Sequence, residues 1–259
     1  MSIMIGAIAG DIIGSVFEHQ RPGYSDFDLF ESASTYTDDT VMTVASAYAI
    51  LSGTEYSAAY KLFGRRYPAA GYGGMFFDWL HSARTAPYNS FGNGSAMRVS
   101  PVGYARESVG EILDEAKRSA EVTHNHPEGI KGAQAVALAV FLCRKQADKV
   151  EVRREVEKRV GYDLSRSLEE IAPTYYFKVT CQESVPESIT AFLESAGVED
   201  AIRKAVMLGG DADTMACIAG AIAEAHYGGV PEQIRKSVME RLPDDLKAVV
   251  EEFQGRYLV

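Results

Sequence analysis

The sequence predicts an all-α protein, a single compact multi-helix domain spanning residues 1–259. Apolar residues recur at helical spacing along most of the chain, and no pair of alternating segments flanks a hairpin turn. No Pro/Ser-rich linker or low-complexity tract divides the chain, and two similar acidic motifs stand near its opposite ends.

Residues 3–18 read as the first helix, with Gly6, Gly10 and Gly14 spaced by four. Glycines at that spacing line one side of a helix, where a second helix can approach closely. Each costs about 1 kcal/mol against alanine, so close packing has to compensate. Residues 19–36, with Arg21-Pro22-Gly23 and mixed acids, read as a loop of the size of a movable flap. Then Thr37-Asp38-Asp39-Thr40 precedes an Ala-rich helical run over 41–51. Residues 57–67 form a short helix stopped by Pro68, and 71–74 break the chain. Residues 75–84 return to helix, with Trp79 and His81 as packing residues.

The stretch 89–95 is too rich in Gly and Asn for a helix or central strand and reads as a loop. As an ordinary turn it needs no further role. As a ligand loop it would cradle an anion on exposed N–H groups, with Phe91 offering an aromatic face. Residues 108–122 are an amphipathic helix with Ile112, Leu113, Ala116 and Ala120 inward. Pro127 suits the first turn of the next helix, which runs through 128–144. Charges dominate 145–159, a solvated helix face with Glu155 and Arg159 at ion-pair spacing. Residues 175–181 fit either an extended segment or a short strand. Helices follow over 186–194, 200–207, 215–223, 231–241 and 243–254, roughly ten in all.

The two acidic motifs are the centre of the functional reading. Thr and Asp are favoured at helix starts because their oxygens satisfy free backbone N–H groups, so Thr37–Thr40 taken alone reads as a cap. Gly209-Gly210-Asp211-Ala212-Asp213-Thr214 repeats the same grammar before a second small-residue helix. A cap needs one side chain, and four carboxylates at two helix starts repel one another unless a cation sits among them. If the two starts converge, Asp38, Asp39, Asp211 and Asp213 with Thr37 and Thr214 offer an all-oxygen set suited to two divalent ions. Mg²⁺ is preferred, with Mn²⁺ the alternative.

A net charge of −10 argues against nucleic acid or an anionic membrane as partner. Cys143, Cys181 and Cys217 are too few and too scattered for a disulfide framework or a zinc site. Residues 1–17 lack the basic start of a signal peptide, and no apolar run spans a bilayer. A cytoplasmic monomer is expected.

Five stretches in order resemble the ADP-ribosylglycohydrolase family, the group of the dinitrogenase-reductase-activating glycohydrolases. They are Gly6 to Asp11 through Gly14 to Glu18, Thr37 to Thr40, Gly92-Asn93-Gly94-Ser95-Ala96-Met97-Arg98, Thr123-His124, and Gly209 to Thr214. The segment 181–192, with Ser184-Val185-Pro186, also fits. The resemblance implies an all-α domain with a dinuclear metal cleft. It implies a hydrolase that releases ADP-ribose from a modified protein side chain, such as arginine or serine, or from a small conjugate. From the residues alone Glu18 reads as solvated and His124 as structural. The resemblance turns Glu18 into the cleft as base or gate, with Asp38 or Asp39 as alternative proton handlers. It assigns Ser90, Phe91, Gly92, Asn93, Gly94 and His124 to substrate binding. A non-catalytic ADP-ribose-binding module and a crystallin-like structural protein are the rival readings.

Overall fold

A computed structural model describes residues 2–258. Fifteen helices lie among them. In the first half these are α1 (Ile5–Gly14), α2 (Asp38–Ser52), α3 (Tyr56–Arg66), α4 (Gly74–His81), α5 (Gly94–Met97), α6 (Val102–Ala105) and α7 (Val109–Glu121). The rest are α8 (Pro127–Arg144), α9 (Lys149–Val160), α10 (Leu168–Ile171), α11 (Cys181–Leu193), α12 (Val198–Leu208), α13 (Ala212–Tyr227), α14 (Glu232–Arg241) and α15 (Asp244–Tyr257). The one departure from helix and coil among the described residues is an isolated bridge between Gly92 and Thr180. Residues 175–179 form no regular strand, and Cys181 already belongs to α11.

Helix α13 is the axis. It is buried from Ala212 to Glu224 and packs against α1, α12, α11 and α8. Every residue of α1 is buried as well. The glycine series explains how they meet. A Cβ on Gly6 would stand 2.3 Å from the Gly220 carbonyl oxygen, and one on Gly10 only 2.0 Å from that of Ala216. A Cβ on Gly14 would lie 2.4 Å from the Asp213 Cα. Rising numbers on α1 meet falling numbers on α13, so the helices run antiparallel in backbone contact. Glu224, buried on α13, accepts from the Gly6 N–H at 2.8 Å and the Ser2 hydroxyl at 2.6 Å, which caps α1 from its neighbour.

Outside this pair the layers become progressively more charged. Helix α9 buries only Val152 and Val156, and α14 only Ile234 and Val238. The Glu155–Arg159 pair forms at 2.7 Å on the α9 surface, and Ser108 closes a capping box with Glu111 at the start of α7. The three cysteines are free and buried. No helix among the described residues is long and apolar enough to cross a membrane.

Two boundaries and the number of helices differ from the sequence reading. Helix α1 stops at Gly14, so Glu18 lies in the bend that follows and not in a last helical turn. Helix α11 begins five residues before Pro186, because the loop at Phe91–Gly92 anchors its first residue. The Cys181 N–H donates to the Phe91 carbonyl at 2.9 Å, and the thiol to that of Gly92 at 3.0 Å. The count exceeds ten partly through the four-residue helices α5, α6 and α10, too short to leave a periodic signal.

The glycine contact carries a test. Gly10→Ala places a methyl against immovable backbone and should destabilise by about 1–3 kcal/mol despite alanine's better helix propensity. Gly255→Ala, on α15 with open space around it, should be neutral or stabilise by up to about 1 kcal/mol. Urea midpoints compare the two, and equal midpoints would remove the close-approach explanation.

Candidate active site

The antiparallel pair sets the C-terminal half of α1 beside the N-terminus of α13, and with it Asp11 beside Asp213. Asp11, fully buried, reaches across to the start of α2. Its carboxylate accepts from the Thr37 N–H at 2.9 Å, the Thr37 hydroxyl at 2.6 Å, the Thr40 N–H at 3.0 Å and the Thr40 hydroxyl. Thr37 is itself the N-cap, accepting from the Asp39 N–H. Capping is thus real at this motif, yet Thr37 and Asp11 perform it, and the side chains of Asp38 and Asp39 remain for other work.

The second acidic start meets the first. The Asp39 carboxylate accepts from the Thr214 hydroxyl at 3.1 Å, and that of Asp213 from the Thr214 N–H at 2.9 Å. Carboxylate oxygens of Asp11, Asp39 and Asp213 all lie within 4.8 Å of one another. Asp38 and Asp211 complete the group. The second oxygen of Asp39 is buried without a hydrogen-bond partner.

Burial pushes all five carboxyls above the usual range. Mutual repulsion adds to this at Asp38, Asp39 and Asp213, and Asp38 is raised to about 8. Hydrogen bonds from Thr37 and Thr40 offset part of the rise at Asp11. Crowded, buried, oxygen-only donors with one oxygen left orphaned fit a hard divalent cation. Asp11 belongs to this set, although the sequence reading left it out.

Both motifs open onto one cleft of about 340 Å³. Glu18 stands on its rim, half-buried. Its carboxyl is raised by burial and then by Asp211, while His19 pulls the other way. Two arginines help to hold the 19–36 segment beyond it. Arg21 donates to the Leu208 carbonyl, and Arg203 donates to those of Ser25 and Phe27 at 3.1 and 2.7 Å.

The opposite wall is the 90–94 loop. Gly92 and Asn93 do not offer their N–H groups to the cleft as a cradle requires. Gly92 donates to the Ser90 hydroxyl at 3.1 Å and Asn93 to the Val179 carbonyl at 2.9 Å. What Asn93 contributes is its amide, which donates to Asp211 at 2.7 Å and ties this wall to the acidic one. Ser90, Gly92, Asn93, Gly94 and His124 all line the cleft. Phe91 does not: it is 46% exposed, with its ring 5.3 Å from that of His126.

Behind the loop lies a charge that the sequence reading did not weigh. Arg98 is 1% exposed and lines the cleft, yet no carboxylate pairs with it among the described residues. Its guanidinium sits 4.2 Å over the Tyr60 ring and donates to the Thr123 hydroxyl at 2.7 Å. The cleft is therefore polarised, acidic at the helix starts and permanently cationic behind the glycine loop. Burial, and then Arg98, holds the neighbouring His124 well below the usual imidazole range. Met75 and Phe76 of α4, Tyr88 and Val179 complete the lining with apolar and aromatic surface.

A family model described as ADP-ribosylglycohydrolase matches residues 1–258. ADP-ribosylhydrolase ARH3 of Mus musculus is 30% identical, over 90% of this chain and 85% of its own length. ADP-ribosylarginine hydrolase Tri1 of Pseudomonas putida (strain GB-1) is 26% identical, over 89% and 71%. A solved ADP-ribosylglycohydrolase-related protein complex matches in fold, with a TM-score of 0.73 at 22% identity over 96% of each chain.

The acidic cluster predicts a pH signature. Carboxyls raised on folding hold protons that the unfolded chain releases. Their contribution to stability is present below the unfolded pKa and lost as pH rises through the folded values, about 8 for Asp38. A bound cation replaces those protons, so its benefit grows with pH. In chelator the melting temperature should fall between about pH 6 and about pH 8.5, and millimolar Mg²⁺ or Mn²⁺ should flatten that fall. Identical slopes with and without cation would show that the cluster holds none.

Proposed function

The chain belongs to the ADP-ribosylglycohydrolase family, and on that premise we propose that it hydrolyses the bond joining the distal ribose of an ADP-ribosyl group to its acceptor. The observation that carries this reading is the polarity of the cleft onto which both acidic motifs open. Its acidic end suits a sugar whose anomeric carbon becomes cationic in the transition state, and its cationic end suits a diphosphate.

Thr37, Asp38, Asp39, Asp211, Asp213 and Thr214, with Asp11 added, would hold two divalent ions, Mg²⁺ or Mn²⁺, which supply Lewis acidity and orient sugar hydroxyls when bound. The chain's own groups do the rest. Negative carboxylates around the anomeric position favour an oxocarbenium-like charge there. Glu18, held above the ordinary carboxylate range by burial and by Asp211, would take a proton from the attacking water. Asp38 and Asp39 are its alternatives. Ser90, Gly92, Asn93, Gly94 and His124 would position the diphosphate and distal ribose. Arg98 adds a fixed positive field that a chain of net charge −10 otherwise lacks. Phe91, outside the cleft, would reach only a part of the ligand that extends beyond it.

The acceptor is proposed as an arginine or serine side chain of a modified protein, or a small conjugate, with ADP-ribose as product. The relative named as an ADP-ribosylarginine hydrolase makes the arginyl linkage the first to test. A cytoplasmic monomer forming a single domain over 1–259 accords with this role.

Incubation with ADP-ribosyl-arginine and ADP-ribosyl-serine peptides, with Mg²⁺ or Mn²⁺, should release ADP-ribose from at least one. Binding of ADP-ribose with no cleavage of either linkage would instead favour a binding module. Glu18→Gln should keep ADP-ribose affinity and lose about 10²–10⁴-fold in turnover. Wild-type turnover in that variant would pass proton handling to Asp38 or Asp39. Gly94→Val should weaken ADP-ribose binding by calorimetry with little loss of stability, because a Cβ there already stands 3.2 Å from His124 Nε2. Unchanged affinity would return the loop to a plain turn.

A further inference from the structure

The Thr123 hydroxyl lies between two nitrogens, Arg98 Nη2 at 2.7 Å and His124 Nδ1 at 2.8 Å. A guanidinium only donates, so the hydroxyl oxygen accepts from Arg98. Its own hydrogen then needs an acceptor, and His124 Nδ1 stands at hydrogen-bond distance from it. If Nδ1 accepts, its lone pair is used and the ring hydrogen of a neutral imidazole must sit on Nε2. We infer that Arg98 and Thr123 are positioning residues that fix His124 as the neutral Nε2–H tautomer, presenting the cleft with a donor that cannot accept.

The placement of the ring gives the relay a purpose. His124 Nε2 faces the glycine loop, 3.2 Å from where a Cβ on Gly94 would stand and 3.7 Å from one on Gly92. It makes no hydrogen bond within the described residues, so it is available to a ligand. Its partner is an oxygen that accepts, on the diphosphate or on a ribose. Burial and the adjacent Arg98 charge both oppose protonation, so the ring stays a neutral donor through the physiological range. Buried Arg98 is also explained. A charge placed behind the histidine, stacked on Tyr60 and without a carboxylate, keeps the relay pointing one way. The Tyr88 phenol approaches the same hydroxyl and is the rival acceptor for its hydrogen.

The ligand side of this inference rests on the proposed ADP-ribose cleft; the tautomer does not. Long-range ¹H–¹⁵N correlation spectra of the histidine-labelled, ligand-free protein should show the Nε2–H pattern for His124. That pattern should not titrate between about pH 5 and about pH 8. It should persist in Tyr88→Phe. An Nδ1–H pattern in the wild-type protein overturns the relay, whatever the ligand results. Thr123→Val should lose the fixed tautomer and weaken ADP-ribose binding about tenfold, raising KM with kcat little changed, while Thr123→Ser restores both spectrum and affinity. Tautomer and affinity unaffected in Thr123→Val would also overturn it. ADP, which keeps the diphosphate but lacks the distal ribose, locates the accepting oxygen. A loss shared by ADP places it on the diphosphate or proximal ribose, and a loss confined to ADP-ribose places it on the distal ribose. Failure of the wild-type protein to bind ADP-ribose at all would count against the proposed function and leave the spectral test standing.

Discussion

Backbone contact between α1 and α13 is the constraint from which the site follows. With glycines at positions 6, 10 and 14, the two helices approach until carbonyl oxygens fill the space of absent side chains. That approach brings Asp11 and Asp213 to one point. Asp11 then fixes α2 by taking both N–H and hydroxyl bonds of Thr37 and Thr40, which turns Asp39 toward the same point. One steric feature thus arranges carboxylates drawn from three helices. A wider α1–α13 spacing would separate them without altering any of the acids.

The cleft also resolves a conflict of charge. A chain of net charge −10 that gathers five carboxylates is a poor host for an anionic ligand. The fold separates the opposing fields along one cavity, with acids at the helix starts and Arg98 behind the glycine loop. Asn93 joins the two ends, since its amide holds Asp211 while its backbone belongs to the loop. Burying an arginine without a carboxylate is costly. Stacking on Tyr60 and the bond to Thr123 offset part of that cost.

Much of this was legible in the sequence, for identifiable reasons. The glycine series announced a close helix contact because spacing by four has few other uses in an apolar helix. The doubled acid-and-threonine motif announced a shared site because capping alone does not need so many carboxylates. Membership of the family was readable from the order of five short motifs. Asp11 was missed as a site residue because a single acid in an apolar helix gives no local sign of what it reaches. Arg98 was missed because burial depends on Tyr60 and Phe76, which are distant in sequence. The loop at 90–94 was found, but which of its N–H groups were free depended on Val179, far along the chain. Phe91 shows the same limit, since a residue's side of a loop is set by what the loop packs against.

The α1–α13 contact has a consequence for the birth of the protein. Helix α1 is made long before its partner α13 and, Asp11 apart, is apolar or glycine along its length. At synthesis rates of about 5–20 residues per second, the first helix waits roughly ten to forty seconds for the surface that covers it. Over that interval the glycine-lined face has no native match, and Asp11, Asp38 and Asp39 lack Asp211 and Asp213. An apolar helix left uncovered in this way is open to non-native contacts until α13 emerges. The site cannot assemble until α13 has been made.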